Sequence, residues 1–210
     1  YKDRARGGLL VERREFMRFI LASASRRRTD ILKSCRIRHK IFVTGIKEAS
    51  HGRFHAARLV IENAKRKARA AAGNFKSGIV LGADTVVLFK GKNIGKPKTA
   101  MHARKMLKSF SGRHIVVYTG LFLIDVASGR CVYGVEKTGL KVKKIIPADI
   151  DKYLAALGPP DKAGGFSIEG AGSLIFDDIR GSYFNVLGLP MAKLAELFKK
   201  LEYDIFDFMR

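Results

Sequence analysis

Two long β-prone arms in the second half of the chain constrain its fold more than any other feature. Residues 114–126 and 131–146 are both rich in Val, Ile, Tyr and Phe, and Ser128-Gly129 separates them. Such side chains suit a pleated, half-buried surface, so the spacing predicts a long β-hairpin. A two-stranded ribbon is only marginally stable alone and needs helices or further strands against it. The flanking sequence offers both. Upstream, Phe16 to Ala22 reads as a strand, and Ser25 is placed to cap a helix through Ile31 and Leu32. His39 to Val43 reads as a second strand, and a helix rich in Ala, Arg and Lys follows from about His55 to Ala72. Ser77–Gly82 and Thr85–Phe89 read as two strand segments with a turn at Lys90–Asn93, and Thr99 caps a helix through Leu107. Downstream, Pro147 opens a helix to Leu157, Leu174–Ile179 forms a strand, and a last helix starts near Pro190. Helices alternating with strands on both sides of a central hairpin predict an α/β protein with a mixed sheet.

The 210 residues, 47% of them hydrophobic, suffice for one substantial core. Residues 1–15 are charged and weakly patterned, and read as a flexible basic N-terminal segment; residues 16–210 then form a single domain. No apolar run reaches the roughly 20 residues that span a bilayer. Leu9-Leu10-Val11 is too short for the apolar region of a signal peptide, and Cys35 and Cys131 lack CxxC or CxxH spacing. These absences favour a cytoplasmic protein without membrane partners, and argue against a zinc site or a disulfide framework.

The net charge is +22, and residues 1–70 hold 20 Lys and Arg against 6 Asp and Glu. Such a field attracts polyanions without specifying which. No RNP-like motif, zinc finger or helix-turn-helix signature is evident, so nucleic acid is expected to bind nonspecifically if at all.

Chemistry is concentrated in short polar clusters set where burial is expected. Lys67 falls in the middle of a helical stripe formed by Ala56, Val60, Asn63, Ala64, Ala68, Ala70 and Ala71. An ammonium on a packing face either meets an anion or snorkels out to solvent. Asp84 follows the apolar run Ile79–Ala83, so its carboxylate is expected at the strand's carboxyl edge, where α/β clefts open. There it suits a divalent metal or a proton from water; the alternative is a turn former or helix cap. Leu21–Arg28 sets hydroxyls, a helix start and three arginines directly after the first strand. That combination binds phosphate, whereas an exposed basic first turn would oppose the helix dipole. Gly95-Lys96-Pro97 presents a lysine on a turn but is no P-loop: the spacing from Gly91 is one residue short, and Pro97 replaces the required Ser or Thr. His39, His51, His55, His102 and His114 show no metal-ligand spacing.

Taken in order, Leu21–Arg28, Val43–Glu48, Lys67-Ala68, Gly82–Val87, Gly95–Pro97, Met106-Leu107 with Ser111-Gly112, His114, Thr119-Gly120, Asp161–Gly170 and Gly181–Pro190 resemble the Maf family of nucleoside triphosphate pyrophosphatases, long called septum-formation inhibitors. The resemblance runs from about Phe19 to Leu201. It implies a curved mixed β-sheet flanked by helices, in two lobes around a cleft, an architecture related to the inosine triphosphatases. It further implies a homodimer, a divalent cation such as Mg²⁺, Mn²⁺ or Co²⁺, and hydrolysis of a nucleoside triphosphate to the monophosphate and pyrophosphate. Carried over by motif, Asp84 is the proton acceptor and binds metal with Glu48, while Ser23, Arg28, Lys67 and Lys96 hold phosphates. Arg27, Thr85 and Glu169 occupy the positions tied to base choice. The first two match members acting on dTTP and UTP; Glu169 matches members acting on 7-methyl-GTP. The balance favours pyrimidine triphosphates, modified ones included. The alternatives are a 7-methyl-GTP pyrophosphatase, or a non-enzymatic regulator of septation or binder of nucleic acid. Arg26 stands where the family usually has proline.

Overall fold

The computed structural model describes residues 17–49, 55–158 and 163–209. The expected N-terminal arm lies outside them, as do His51, Asp161 and Lys162. The strands are β1 (Phe19–Ala22), β2 (Lys40–Ile41), β3 (Ile79–Phe89), β4 (Lys92–Ile94), β5 (His114–Asp125), β6 (Cys131–Val142) and β7 (Phe176–Arg180). The helices are α1 (Arg26–Ser34), α2 (Ala56–Ala72), α3 (Ala100–Phe110), α4 (Pro147–Leu157), α5 (Tyr183–Leu187) and α6 (Met191–Lys200). All seven strands join one sheet in the order β2-β1-β3-β5-β6-β7, with β4 also on β3. β1 runs parallel to β2 and β3, and the other pairings are antiparallel. The mixed α/β sheet expected from the sequence is therefore present, with the hairpin β5–β6 at its centre.

Alternation along the strands sorts side chains onto two faces. Ile20, Ala22, Val80, Phe122 and Ile124 pack against Ala64, Ala68 and Ala71 of α2. On the opposite face Leu21, Leu81, Ala83, Leu121 and Leu123 join a larger core with α3, α4 and α6. No helix among the described residues is long and apolar enough to cross a membrane.

Several boundaries differ from the sequence expectation, each for a physical reason. The segments Ser77–Gly82 and Thr85–Phe89 are one continuous strand, because β5 pairs with it from Ile79↔Asp125 to Leu88↔Val116 and carries it through Gly82-Ala83. Asp84 consequently sits in the middle of an 11-residue strand and not at its carboxyl end. The expected turn at Lys90–Asn93 is tighter, leaving Lys92–Ile94 to fold back as β4. β2 shrinks to two exposed edge residues. Ser25 stands at the N-cap of α1 but makes no side-chain cap bond. Thr99 does cap α3, its hydroxyl accepting the His102 N–H at 3.1 Å. Helix α5 was not expected; Ser182 Oγ caps it by accepting the Asn185 N–H at 3.2 Å, and Gly188 ends it with φ 98°.

One topological detail positions the site. On the edge of β3 opposite β5, β1 pairs only as far as Ala22↔Gly82, and β4 takes over only at Val87↔Ile94. Residues 83–86 face a gap between two strand ends, where both faces of the sheet become accessible from one opening. Helix α2 lies directly over the gap's rim because the sheet is stripped of side chains beneath it. A Cβ on Gly82 would overlap the Ala64 carbonyl, and one on Gly120 would come within 2.6 Å of the Val60 backbone. Gly82→Ala is therefore expected to destabilise by about 1–3 kcal/mol through overpacking against a rigid helix backbone. Gly73→Ala, where nothing lies within 4 Å, should leave stability unchanged or slightly raised. Thermal unfolding of the two variants decides this: equal melting temperatures would show that α2 is not seated on the glycines.

Candidate active site

The gap opens into a cavity of about 1030 Å³. Residues 22–28, 43–46 and 93–96 line it, together with Glu48, Lys67, Asp84, Thr85 and part of the stretch 163–188. Successive residues of β3 point to opposite faces, so Asp84 lies under α2 and Thr85 on the far side. Only a break in the sheet lets one cavity reach both.

On the α2 side, Lys67 emerges from the stripe of short residues and is held by anions. Its Nζ lies 2.8 Å from Asp84 Oδ1 and 2.6 Å from Glu48 Oε1, and it donates to the Ala83 carbonyl at 3.3 Å. That carbonyl belongs to the unpaired edge, so the ammonium also satisfies backbone that a strand would otherwise bond. The stripe differs slightly from expectation: Leu59 joins the buried set and Ala70 does not. Lys67 and Asp84 side chains are 13% and 9% exposed, which leaves their attraction little screened, whereas Glu48 at 49% faces the opening. Burial pushes the Glu48 carboxyl up, but the charge and hydrogen bond of Lys67, with Arg28 and Lys96 beyond, outweigh it and hold the group below its ordinary value.

Asn63, one turn before Lys67, completes the cluster. It is 1% exposed, its Nδ2 donates to Asp84 Oδ2 at 3.0 Å, and its Oδ1 accepts the Ala49 N–H at 2.7 Å. The sequence placed it on the packing stripe but gave it no chemistry. Its signal was a carboxamide at a position where the neighbours are alanines.

On the other face, Arg28 is buried and spends its guanidinium on protein. Nε donates to Gly188 O at 2.8 Å, Nη1 to Ser23 Oγ at 2.8 Å and Nη2 to Thr85 Oγ1 at 3.0 Å. Burial lowers its pKa, opposed by Asp84 and Glu48, and arginine stays charged throughout. Thr85 Oγ1 lies 3.0 Å from Thr119 Oγ1, which donates to the Asn185 carbonyl at 3.2 Å. For every bond in this chain to form, Thr85 must donate to Thr119 and accept from Arg28. Its one remaining lone pair is then an acceptor.

Of the residues singled out in the sequence, Ser23, Arg27, Arg28, Glu48, Lys67, Asp84, Thr85 and Lys96 all line the cavity. Glu169 does not. It is exposed, its N–H donates to Ser167 Oγ at 3.2 Å, and it lies near Tyr183, whose phenol is pushed up by burial and then by the Glu169 charge. Ser167 and Ile168 line the cavity in its place.

The fit to a divalent cation can be judged from the donors. Among the described residues no group of three or more His, Cys, Asp or Glu converges. Glu48 and Asp84 nevertheless both reach a single cation, the Lys67 ammonium. Two carboxylates with the remaining ligands drawn from water and substrate phosphate are the usual arrangement for Mg²⁺, so the residues present suit that ion.

Known proteins resemble this chain over most of its length. The chain is 37% identical over 189 residues to the dTTP/UTP pyrophosphatase of Methanosarcina barkeri, covering 90% of this chain and 96% of that protein. It is 39% identical over 184 residues to the dTTP/UTP pyrophosphatase of Clostridioides difficile, covering 88% and 95%. The relative from Pelotomaculum thermopropionicum, also a dTTP/UTP pyrophosphatase, is 37% identical over 186 residues, covering 89% and 97%. The profile of the Maf-like proteins matches residues 18–201. With that match spanning every element from β1 to α6, the chain belongs to the Maf family.

Proposed function

We propose that this protein hydrolyses nucleoside triphosphates of the dTTP and UTP type to the monophosphate and pyrophosphate, removing particular nucleotides from the pool. The observation that carries the reading is the convergence of Asp84 and Glu48 on one cation position inside a gap that Arg27 and Lys96 also line. A triphosphate needs its charge neutralised and a water activated, and this arrangement supplies both kinds of group. The water oxygen attacks the α-phosphorus, the bond to the β-phosphate oxygen breaks, and pyrophosphate leaves while Asp84 takes the water's proton. A divalent ion held by Glu48 and Asp84 would supply Lewis-acid neutralisation of the phosphate oxygens. Cytoplasmic location and assembly as a homodimer are supported by the family resemblance.

The base preference has its own support. The imide edge of uracil or thymine offers an N–H, and Thr85, with its proton spent on Thr119, presents an acceptor. Cytosine offers an acceptor at that position. The relatives' specificity for dTTP and UTP points the same way.

Pyrophosphate release from dTTP, UTP, CTP and 7-methyl-GTP tests the reading. Turnover of dTTP and UTP should exceed that of the other two; preference for 7-methyl-GTP would overturn the base assignment, and no release from any triphosphate would overturn the activity. Asp84→Asn should keep the fold while lowering turnover by about a hundredfold or more, as loss of a general base does. Retention of over about a tenth of wild-type turnover would move the proton acceptor elsewhere.

Lys67 makes a further prediction of opposite signs. It holds the carboxylates that metal would use, so Lys67→Met should tighten Mn²⁺ binding by about tenfold because a competing cation is removed, while depressing turnover because a phosphate-holding cation is lost. Lys65→Ala, which does not line the cavity, should change neither. Titration calorimetry with Mn²⁺ alone reads the first effect, and weaker binding in Lys67→Met would show that the ammonium does not compete with the metal for Glu48 and Asp84.

A further inference from the structure

We infer that Asn63 is a positioning residue for the reaction, acting through Asp84 and through the loop that carries Glu48. This rests on the pyrophosphatase reading and adds to it a residue that touches neither water nor phosphate. Asn63 is not among the residues lining the cavity, and it is 1% exposed. A buried carboxamide is costly unless bonded, and both ends of this one are bonded to the site. The amide nitrogen donates to Asp84 Oδ2 at 3.0 Å, and the carbonyl accepts the backbone N–H of Ala49 at 2.7 Å, next to Glu48.

The geometry follows from helix spacing. Asn63 and Lys67 are four residues apart on α2 and share a face. Lys67 takes Asp84 Oδ1 while Asn63 takes Oδ2, so one helix face fixes both oxygens and with them the carboxylate plane. Each oxygen keeps a lone pair for metal or water. The same two side chains also fix the loop at both of its relevant residues, Lys67 holding the Glu48 side chain and Asn63 the Ala49 backbone. Asp84 comes from β3 and Glu48 from a loop outside any helix or strand. Nothing in the sheet would otherwise keep their separation constant. Asn63 is the neutral member of the bracket. When metal or substrate draws Lys67 away from the carboxylates, the Asn63 bonds remain.

Two substitutions separate the possible roles. Asn63→Asp is nearly isosteric and keeps an oxygen for the Ala49 N–H, but replaces the donor facing Asp84 with another acceptor. Asn63→Ala removes both bonds. With the phosphate-holding cations untouched, both variants should lose kcat by about tenfold to a hundredfold with KM for UTP nearly unchanged, the range for residues that orient metal ligands. In calorimetry with Mn²⁺ and no nucleotide, Asn63→Ala should bind more weakly by a similar factor. Wild-type kcat in Asn63→Asp would overturn the inference, leaving Asn63 a tether for Ala49 only. Unchanged Mn²⁺ affinity in Asn63→Ala would overturn its hold on the Glu48 loop. If neither variant folds, the residue is structural and the inference is wrong as well. Failure of the pyrophosphatase reading shows separately, as a wild-type protein that releases no pyrophosphate.

Discussion

The rest of the structure depends on an interrupted strand edge. β3 is paired along nearly its whole length by β5, yet on its other side β1 pairs only up to Ala22↔Gly82 and β4 only from Val87↔Ile94 onward. Backbone groups of this stretch that turn away from β5 must then be met by something other than a strand, and one of them, the Ala83 carbonyl, is met by Lys67. The break also defeats the usual separation of a sheet's faces. Adjacent residues Asp84 and Thr85 point to opposite sides, and both reach one cavity. The Asp84 carboxylate, held by Lys67 and Asn63, and the Thr85 hydroxyl, held by Arg28, are therefore neighbours in sequence that open to one cavity from opposite faces.

An interruption of this kind weakens a sheet unless side chains bridge it. Arg28 does so on one face, tying Ser23 after β1, Thr85 on β3 and the Gly188 carbonyl after α5. On the other face, α2 closes the gap with Asn63 and Lys67. Both bridges bury polar groups, and both are tolerable because each donor meets an oxygen. The close seat of α2 is what makes the second bridge possible. Glycines at 82 and 120 let the helix backbone approach the strands, and the alanine stripe removes bulk from the helix side. The Lys67 ammonium sits between Glu48 and Asp84 and offsets part of the charge of both carboxylates.

The chain alone determined the α/β class, the central hairpin and the identity of most residues around the cavity. Residue types did this: alternating β-branched and aromatic runs specify strands, an alanine stripe specifies a packing face, and Lys67 within that stripe needs either an anion or a path to solvent. The order of the short motifs carries the resemblance to the Maf family. Tertiary structure alone decided the rest. Asp84 reads as the end of a strand because Gly82-Ala83 has weak β propensity, and only the continuous pairing with β5 shows it to be the middle. Asn63 reads as a polar residue on a helix, because its partners, Ala49 and Asp84, lie 14 and 21 residues away. Glu169 reads as a base-facing residue by motif, and it stands outside the cavity lining, at the N-cap of the 3₁₀ turn Gly170–Ile175. Local pattern fixes which face a side chain takes on its own element; which other element stands opposite that face is set by long-range packing, and no local pattern encodes it.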